Sequence, residues 1–513
     1  MELRLAELLA SLSLVSDLGM GYAPDQAIES CLIAGGLARA LNLGQSEQRD
    51  VYFTTLLCHV GCTAGAYEQA VVAGGDDIVF RGLGSRVVFG GQREAFTEFM
   101  LQFGQDLPPL KRARTVGRLM VRGERVGNET SHATCEVAAQ MARRIGLSDS
   151  VRQALYEMFE RWDGNGLPHA RSGNDISAPI RFAQVATQAA LFNRLGGAEL
   201  AFEKIRGLAG SALDPAVADA FALHGPALLR ELAEADVWKA VLDAEPRPQR
   251  IASEADLDQI ARAFADAVDL KSPWMHQHSV GVAGLSEAAA RELGLGASVE
   301  TLVRRAAMFH DLGRVGVPNG IWDKPGPLTT SEWEQVRLHP YHSERILARS
   351  TALAEIASIA GMHHERNDGS GYYRQLPAGA VSLPARILAA ADCYQAMTQE
   401  RPYRPALSPE EAAAELLAEA QAGCLDADAV RAVLSAAGQR ARAQRVERPA
   451  GLTERELEVL RLAARGMTNR EMGAQLSISP KTVGHHVQHI YDKIGVSTRA
   501  AAALYAMEHK LLQ

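Results

Sequence analysis

Seven side chains in the second half of this chain could hold metal ions: His278, His310, Asp311, His339, His363, His364 and Asp392. Imidazole nitrogen and carboxylate oxygen suit divalent transition metals, and a shared carboxylate can bridge two ions. None of the seven is informative alone. His310 and Asp311 are adjacent in the run MFHDLGRVGVP, Met308 to Pro318. Neighbouring side chains diverge on a helix. They can share a metal only if other ligands converge from neighbouring helices. His363 and His364 diverge in the same way unless their helix ends there, as Asn367, Asp368 and Gly369 imply. Lone histidines such as His276 and His342 read as solvent-facing or hydrogen-bonded.

The elements that must position these groups are helices. Apolar residues recur three and four apart, as in Leu285, Ala288, Ala289 and Leu293. Strand-like alternation is scarce, and Asp77 to Phe89 is expected to form a short hairpin. A chain of 513 residues predicts two to four domains at roughly 100–200 residues each. A net charge of -8 argues against a chain-wide nucleic-acid surface and leaves a local one open. The cysteines (Cys31, Cys58, Cys62, Cys135, Cys393 and Cys424) contain no CxxC pair and read as reduced thiols. The N-terminus carries Glu2, Arg4 and Glu7 among its leucines, as an amphipathic helix would and a signal peptide would not. No run of about 18 apolar residues is free of charge. A soluble, cytoplasmic protein without a membrane partner is expected.

The chain also repeats itself. Phe159 to Phe182 and His364 to Ile387 align without a gap, matching Glu160 to Glu365, Asp163 to Asp368, Gly166 to Gly371, Pro179 to Pro384 and Arg181 to Arg386. Upstream, LLCHVG meets MFHDLG. In this register Gln26 stands for His278, Cys58 for His310, His59 for Asp311, Met158 for His363, Phe159 for His364 and Thr187 for Asp392. Only His339 keeps a histidine counterpart, His132, across a small gap. One helical domain is therefore expected twice, with the metal ligands in the second copy alone. Glu245 to Arg250 reads as a linker between the copies, and Gln439 to Ala450 as a linker to a third unit.

That third unit has four helical patterns. Thr453 and Glu456 form a capping box, and Gly466 stops the first helix. A short helix spans Asn469 to Leu476, a turn runs through Ser477, Ile478 and Ser479, and Pro480 opens the next helix. Val483, Val487, Ile490 and Ile494 make its buried face, leaving Lys481, Thr482, Gly484, His485 and Gln488 outward. This pattern fits a helix-turn-helix or a small packing bundle. The last helix, Ala500 to Leu511, is Ala-rich, which suits close pairing with a second copy.

Two resemblances resolve these alternatives. His278 to Leu407 resembles the HD-GYP family of HD-superfamily metal-dependent phosphohydrolases, through HSVGVA, HDLGRVGVP, HPYHSERIL, HHERNDGSGYY, ILAAAD and RPYRPALSPEEA. Leu452 to Ala506 resembles the LuxR-type DNA-binding domain. The implied fold is all-α: two tandem HD-type helical domains, then a small four-helix LuxR-type helix-turn-helix domain. The expected bounds are 1–240, 251–440 and 450–513. The HD-GYP likeness implies two divalent ions, iron or manganese. His278, His310, Asp311 and Asp392 would hold one; His339, His363 and His364 would hold the other, with Asp311 bridging. It implies hydrolysis of a cyclic dinucleotide such as cyclic di-GMP, or of another phosphoester, by a bridging water. Asp311 and Arg314 would be catalytic, and Arg314, Gly371, Tyr372, Arg401 and Arg404 would bind substrate. The LuxR likeness implies a homodimer on DNA, with Lys481, Thr482 and His485 at the major groove and Thr468, Asn469 and Lys493 at phosphates.

Some positions depart from the family pattern. Arg314 replaces a usual lysine, and Gly371-Tyr372-Tyr373 replaces Gly-Tyr-Pro. Gln395 replaces a second aspartate, and Pro405 a basic residue. Trp274 replaces the glutamate of trinuclear members, which favours two metals. No core ligand is lost. The chain therefore reads as a transcription regulator carrying a metal phosphodiesterase. The alternatives are a phosphodiesterase that its tail merely places on DNA, and a regulator whose idle metal site senses a nucleotide.

Overall fold

The computed structural model describes residues 3–88, 101, 103–104, 108–438, 449–509 and 511–512. Among these, helices and short 3-10 turns dominate, and the only extended pairing is isolated bridges. The chain divides into two compact units, Met1–Asp256 and Leu257–Gln513.

Each unit is built round one central helix. In the first, Gln26–Ala40 packs on Gln45–Leu56, Ala178–Leu208 and Pro215–Glu234. Ile33, Leu37, Val185 and Phe221 meet in its core. In the second, His278–Glu292 packs on Ala297–Phe309, Leu383–Met397 and Ala427–Gly438. Helix starts are written into the sequence. The Ser382 hydroxyl accepts from the Ala385 N–H, with Pro384 in the first turn, and Thr329 and Ser408 form capping boxes with Glu332 and Glu411. These side chains satisfy backbone donors that a helix leaves unpaired.

The internal repeat is visible bond by bond. Asp25 and Gln277 occupy equivalent left-handed positions, at φ 72° and 62°. Asp17 accepts from the Ala27 N–H at 3.1 Å as Asp269 accepts from the Ser279 N–H at 3.0 Å. Glu160 accepts from the amides of His169 and Arg171, and Glu365 from those of Arg374 and Leu376. Arg181 pairs with Asp214 at 2.8 Å and Arg386 with Asp426 at 3.1 Å. Even the substituted ligands touch: Gln26 reaches the Thr187 carbonyl at 3.4 Å, where His278 meets Asp392 at 3.0 Å.

The second unit also contains Glu454–Ala464, Asn469–Leu476, Pro480–Ile494 and Arg499–Glu508. Leu457, Leu460, Met472, Val483, Ile490 and Ala506 form the core of this group. The Ala-rich face of the last helix is not free for pairing. Ala501, Ala502, Ala503, Leu504, Ala506 and Met507 are all buried, and Arg262 donates to the Met507 carbonyl at 2.8 Å.

Other expectations fail for local reasons. Asp77–Val88 is a helix, not a hairpin. Phe80 and Leu83 pack on Val72, Phe103 and Leu119. Asp77 and Arg81, four apart, pair at 2.7 Å while buried. Tertiary packing overrides the β-propensity of the run; Phe89 lies outside the described residues. The N-terminal helix, Leu5–Met20, is buried nearly all round instead of being amphipathic, with serines taking small buried positions. Glu245 to Arg250 is no loose connector. Arg4 pairs with Glu245 at 3.5 Å, and the Leu5 N–H donates to the Arg250 carbonyl at 2.7 Å. The linker read at Gln439 to Ala450 lies outside the described residues except for its end, where Pro449–Gly451 forms a 3-10 turn.

Two equivalent glycines are enforced by close backbone approach. A Cβ at Gly166 would stand 2.3 Å from the Arg161 nitrogen, and one at Gly371 2.4 Å from the Arg366 nitrogen. Alanine at either position should cost about 1–3 kcal/mol or more through overpacking. Thermal melts of Gly166→Ala and Gly371→Ala should show lowered midpoints; unchanged midpoints would contradict the close approach within these loops.

Candidate metal centre and nucleic-acid interface

The ligand candidates all stand at helix ends, with one exception. His278 is the first residue of His278–Glu292. Ala297–Phe309 stops at His310, and Asp311 precedes a 3-10 turn over Leu312–Gly316. His339 opens His339–Leu347, behind which Pro340 fits the first turn. Ala354–Gly361 ends before His363 and His364, as the Asn-Asp-Gly signal implied. Asp392, the exception, comes from within Leu383–Met397. Where helices end, consecutive side chains can converge, so both His-Asp and His-His pairs reach one centre.

Their arrangement is two groups around one carboxylate. Asp311 Oδ1 lies 3.4 Å from His339 Nε2 and 3.8 Å from His363 Nε2. Asp311 Oδ2 lies 3.9 Å from His278 Nε2 and 3.6 Å from His310 Nε2. Asp392 Oδ1 closes the second group at 3.0 Å from His278 and 3.8 Å from His310, and its Oδ2 is 3.9 Å from His364 Nδ1. Ligand-sized clusters form at His339, His363 and His364, and at His278, His310 and Asp311. His276 and His342 are in neither.

The histidines are oriented by a bond that periodicity does not reveal. Nδ1 of His310, His339 and His363 each sits 2.6–2.7 Å from the carbonyl three residues back, at Ala307, Val336 and Ala360. That carbonyl can only accept, so Nδ1 carries the proton and the Nε2 lone pair points inward. His310 Nε2 is buried with no hydrogen-bond partner. His339 and His363 bring Nε2 atoms to 3.0 Å, two acceptors facing each other. An orphaned acceptor and two opposed lone pairs are costly alone and are what a cation would satisfy.

The protonation states agree. Burial, followed by His310 and His339, pushes His363 down to about 3. Burial likewise lowers His278 and His364. Burial disfavours the ionised forms of Asp311 and Asp392, yet neighbouring imidazoles, with Arg314 at Asp311, hold both below the ordinary carboxylate range. Neutral imidazole with ionised carboxylate is the state that binds cations. In the first copy burial pushes the Cys58 thiol up to about 12, which disfavours the thiolate a metal needs.

The remaining predicted residues separate by what their donors do. Arg314 lies 3.4 Å from Asp311 and stacks on Trp322, its guanidinium carbon 3.7 Å from the ring centre. Tyr372 lies 4.6 Å from the His364 ring. Gly371 serves the loop's close packing. Arg401 donates to the Trp274 carbonyl and to Gln399 Oε1 at 3.2 Å. Burial and the nearby Arg314 lower it to about 10. Arg404 instead donates to the carbonyls of Ala396, Met397, Gln399 and Pro405, capping a helix end. Gln399 escaped the sequence reading. Its Oε1 lies 2.9 Å from His278 Nδ1 and orients that imidazole. Its place next to the RPYR run was the available signal.

In the tail, Ser477 takes the left-handed turn conformation at φ 55° between Asn469–Leu476 and Pro480–Ile494. Asn469, Lys481, Thr482 and His485 are exposed. Thr468 is exposed as well, and it caps its helix together with Glu471. Lys493 bonds Glu456 at 2.7 Å and the Gly451 carbonyl at 3.2 Å.

Comparison with known proteins fits this geometry. Residues 262–429 match the HD domain family, and residues 450–506 match the bacterial regulatory proteins of the luxR family. A 3'3'-cGAMP-specific phosphodiesterase 3 of Vibrio cholerae is 31% identical over 414 residues, 80% of this chain and 90% of that protein. The chain belongs to the HD-GYP cyclic-dinucleotide phosphodiesterases. A crystal structure of a cyclic GMP-AMP phosphodiesterase from V. cholerae overlays with a TM-score of 0.60 at 27% identity, covering 85% of this chain and 98% of that one. A cyclic di-GMP phosphodiesterase of Thermotoga maritima is 41% identical over 143 residues, 28% of this chain and 39% of that protein. This phosphodiesterase is therefore a metal-dependent phosphohydrolase joined to a LuxR-type DNA-binding domain. None of its described helices is long and apolar enough to cross a membrane.

Gln399 yields a test. Gln399→Leu should lower metal affinity about 10–100-fold by releasing His278. Chelator competition followed by metal analysis checks this; unchanged affinity would show that Gln399 does not orient the ligand.

Proposed function

We propose that the second copy hydrolyses a cyclic dinucleotide on two divalent cations, iron or manganese, and that the tail carries the result to DNA. The observation behind this reading is the division of Asp311, one oxygen towards His339 and His363, the other towards His278 and His310. His278, His310 and Asp392 would hold one ion with Asp311. His339, His363 and His364 would hold the other. Such cations supply an acidified water as nucleophile and positive charge for the phosphoryl oxygens.

The chain's own residues bind and orient the substrate around that chemistry. Arg314, held flat against Trp322, presents a planar guanidinium to a phosphate oxygen. Arg401 is buried near Arg314, and an anion beside them would relieve their repulsion. The Tyr372 ring offers a stacking face to a base. Arg404 keeps the RPYR loop closed. Tyr373, in the family's proline position, is anchored by its hydroxyl on Glu344 at 2.6 Å. Among cyclic dinucleotides, 3'3'-cGAMP is the first candidate, because the relative that aligns over 80% of this chain bears that specificity in its name. In the tail, Lys481, Thr482 and His485 would enter the major groove, with Thr468 and Asn469 at phosphates. Lys493 would contact a phosphate only by leaving Glu456. DNA binding as a homodimer through the Ala-rich helix would require that helix to leave its present contacts.

Full-length protein loaded with iron or manganese should contain two ions per chain and open 3'3'-cGAMP, with cyclic di-GMP as the competing substrate. His310→Ala and Asp311→Ala should reduce turnover to background. A fully loaded protein that hydrolyses neither dinucleotide would sink the enzyme reading and leave a sensor. For the tail, Lys481→Ala should weaken duplex binding and relax its sequence preference, whereas Lys493→Ala, whose ammonium is held by Glu456, should leave the salt slope unchanged. Unchanged sequence preference in Lys481→Ala, or a slope that falls by about 1 in Lys493→Ala, would overturn these assignments.

A further inference from the structure

The first copy keeps a cavity where the second keeps its ligands. Its volume is about 560 Å³, within the roughly 300–1,000 Å³ typical of small-molecule sites. Cys58, His59, Met158, Phe159 and Thr187 line it, the register counterparts of His310, Asp311, His363, His364 and Asp392. Arg314 is replaced there by Cys62, also in the wall. The groups that would hold cations or face a phosphate are gone, yet the space has not closed. It is a cleft half open to solvent, with Glu124 on the exposed side.

The wall is neutral and has polar atoms to spare. Thr187 Oγ1, Gln188 Oε1 and His59 Nε2 have no hydrogen-bond partner. Thr187 and Gln188 are only 6% and 2% exposed. Such orphaned atoms cost free energy unless a ligand or water meets them. Burial pushes the His59 imidazole down to about 4, so it is uncharged at neutral pH. The wall's arginines are already matched, Arg81 to Asp77 and Arg161 to Asp163. Glu124, at the exposed side, would repel an anion. Tyr22, Phe80 and Phe159 supply aromatic faces and edges.

We propose that this cavity is a ligand site for an uncharged planar heteroaromatic molecule carrying an N–H donor and a C=O acceptor, and not for a metal ion or a nucleotide. The ring lies against the aromatic wall, and its polar groups reach for Thr187 and Gln188. The site stands independently of the reading of the second copy.

Acridone, an uncharged fluorescent ring system with one N–H and one C=O, is the probe; acridone-2-carboxylate is its anionic analogue. Gly84 and Gly127 lie in the wall, on Asp77–Val88 and Pro109–Arg144, and a Cβ at either meets nothing within 4 Å. Gly84→Leu and Gly127→Leu therefore add a side chain at the wall without a clash while removing a helical glycine, so neither should melt below the native chain. Acridone should bind full-length protein one to one. Its affinity should fall by about tenfold or more in a glycine variant that fills the space, and by a few-fold in Thr187→Val. The carboxylate should bind about tenfold more weakly than acridone, since an unpaired charge resists burial. No saturable acridone binding, native affinity in both glycine variants, or preference for the carboxylate overturns the proposal.

Discussion

The second copy depends on an ionised carboxylate kept almost out of water. Asp311 is 3% exposed, and a buried charge is stable only when matched. Each oxygen of Asp311 faces the inward Nε2 atoms of a different pair of neutral imidazoles, so the matching charge is left to Arg314 beside one oxygen and to the cations proposed between them. This requirement dictates much of the surrounding architecture. Several helices must terminate within a few ångströms of one point, because only termini let adjacent side chains converge. Gly313 is part of the same demand: a Cβ there would stand 2.1 Å from the His339 carbonyl oxygen. The equivalent Gly61 would clash at 2.2 Å with the Thr134 carbonyl oxygen, so that close approach belongs to the scaffold and not to the metal.

The two copies form an internal comparison that divides fold from chemistry. Asp17 and Asp269, Glu160 and Glu365, and the Arg181–Asp214 and Arg386–Asp426 pairs do the same work in both units. They fix helix starts and the Gly-rich loop whether or not a metal-ligand set is present. The ligand positions vary as a block. A buried carboxylate left without imidazoles would carry a large desolvation cost, so loss of some ligands favours loss of the others. His59, Met158, Phe159 and Thr187 are what that replacement leaves.

The side chains that gather around Asp311 were legible in the sequence because the repeat supplied a contrast that spacing alone lacks. The helical class and the tail were legible because periodicity and caps are local properties, as at Thr453, Ser479 and Pro480. What escaped was non-local. Asp77–Val88 alternates like a strand, and only Val72, Phe103 and Leu119 packing on it decide for helix. Arg404 looks like a phosphate binder until its four backbone carbonyls are seen. The Nδ1–carbonyl bonds that aim His310, His339 and His363 depend on backbone angles at helix ends. No residue-type pattern encodes them.

Those three bonds also bear on how the site responds to its ions. With Nδ1 fixed by the backbone, the imidazoles are aimed before any cation arrives, so binding need not organise them. The remaining cost lies in the orphaned His310 Nε2 and the opposed Nε2 atoms of His339 and His363. A cation removes that cost only in the folded state, and its binding free energy then adds to the stability of the second copy, about 2.7 kcal/mol at a hundredfold excess over Kd. The described residues of the first copy hold no corresponding ligand set and gain nothing by this route. On the proposed two-ion reading, the same fold would support one copy whose stability follows metal supply and one whose stability does not.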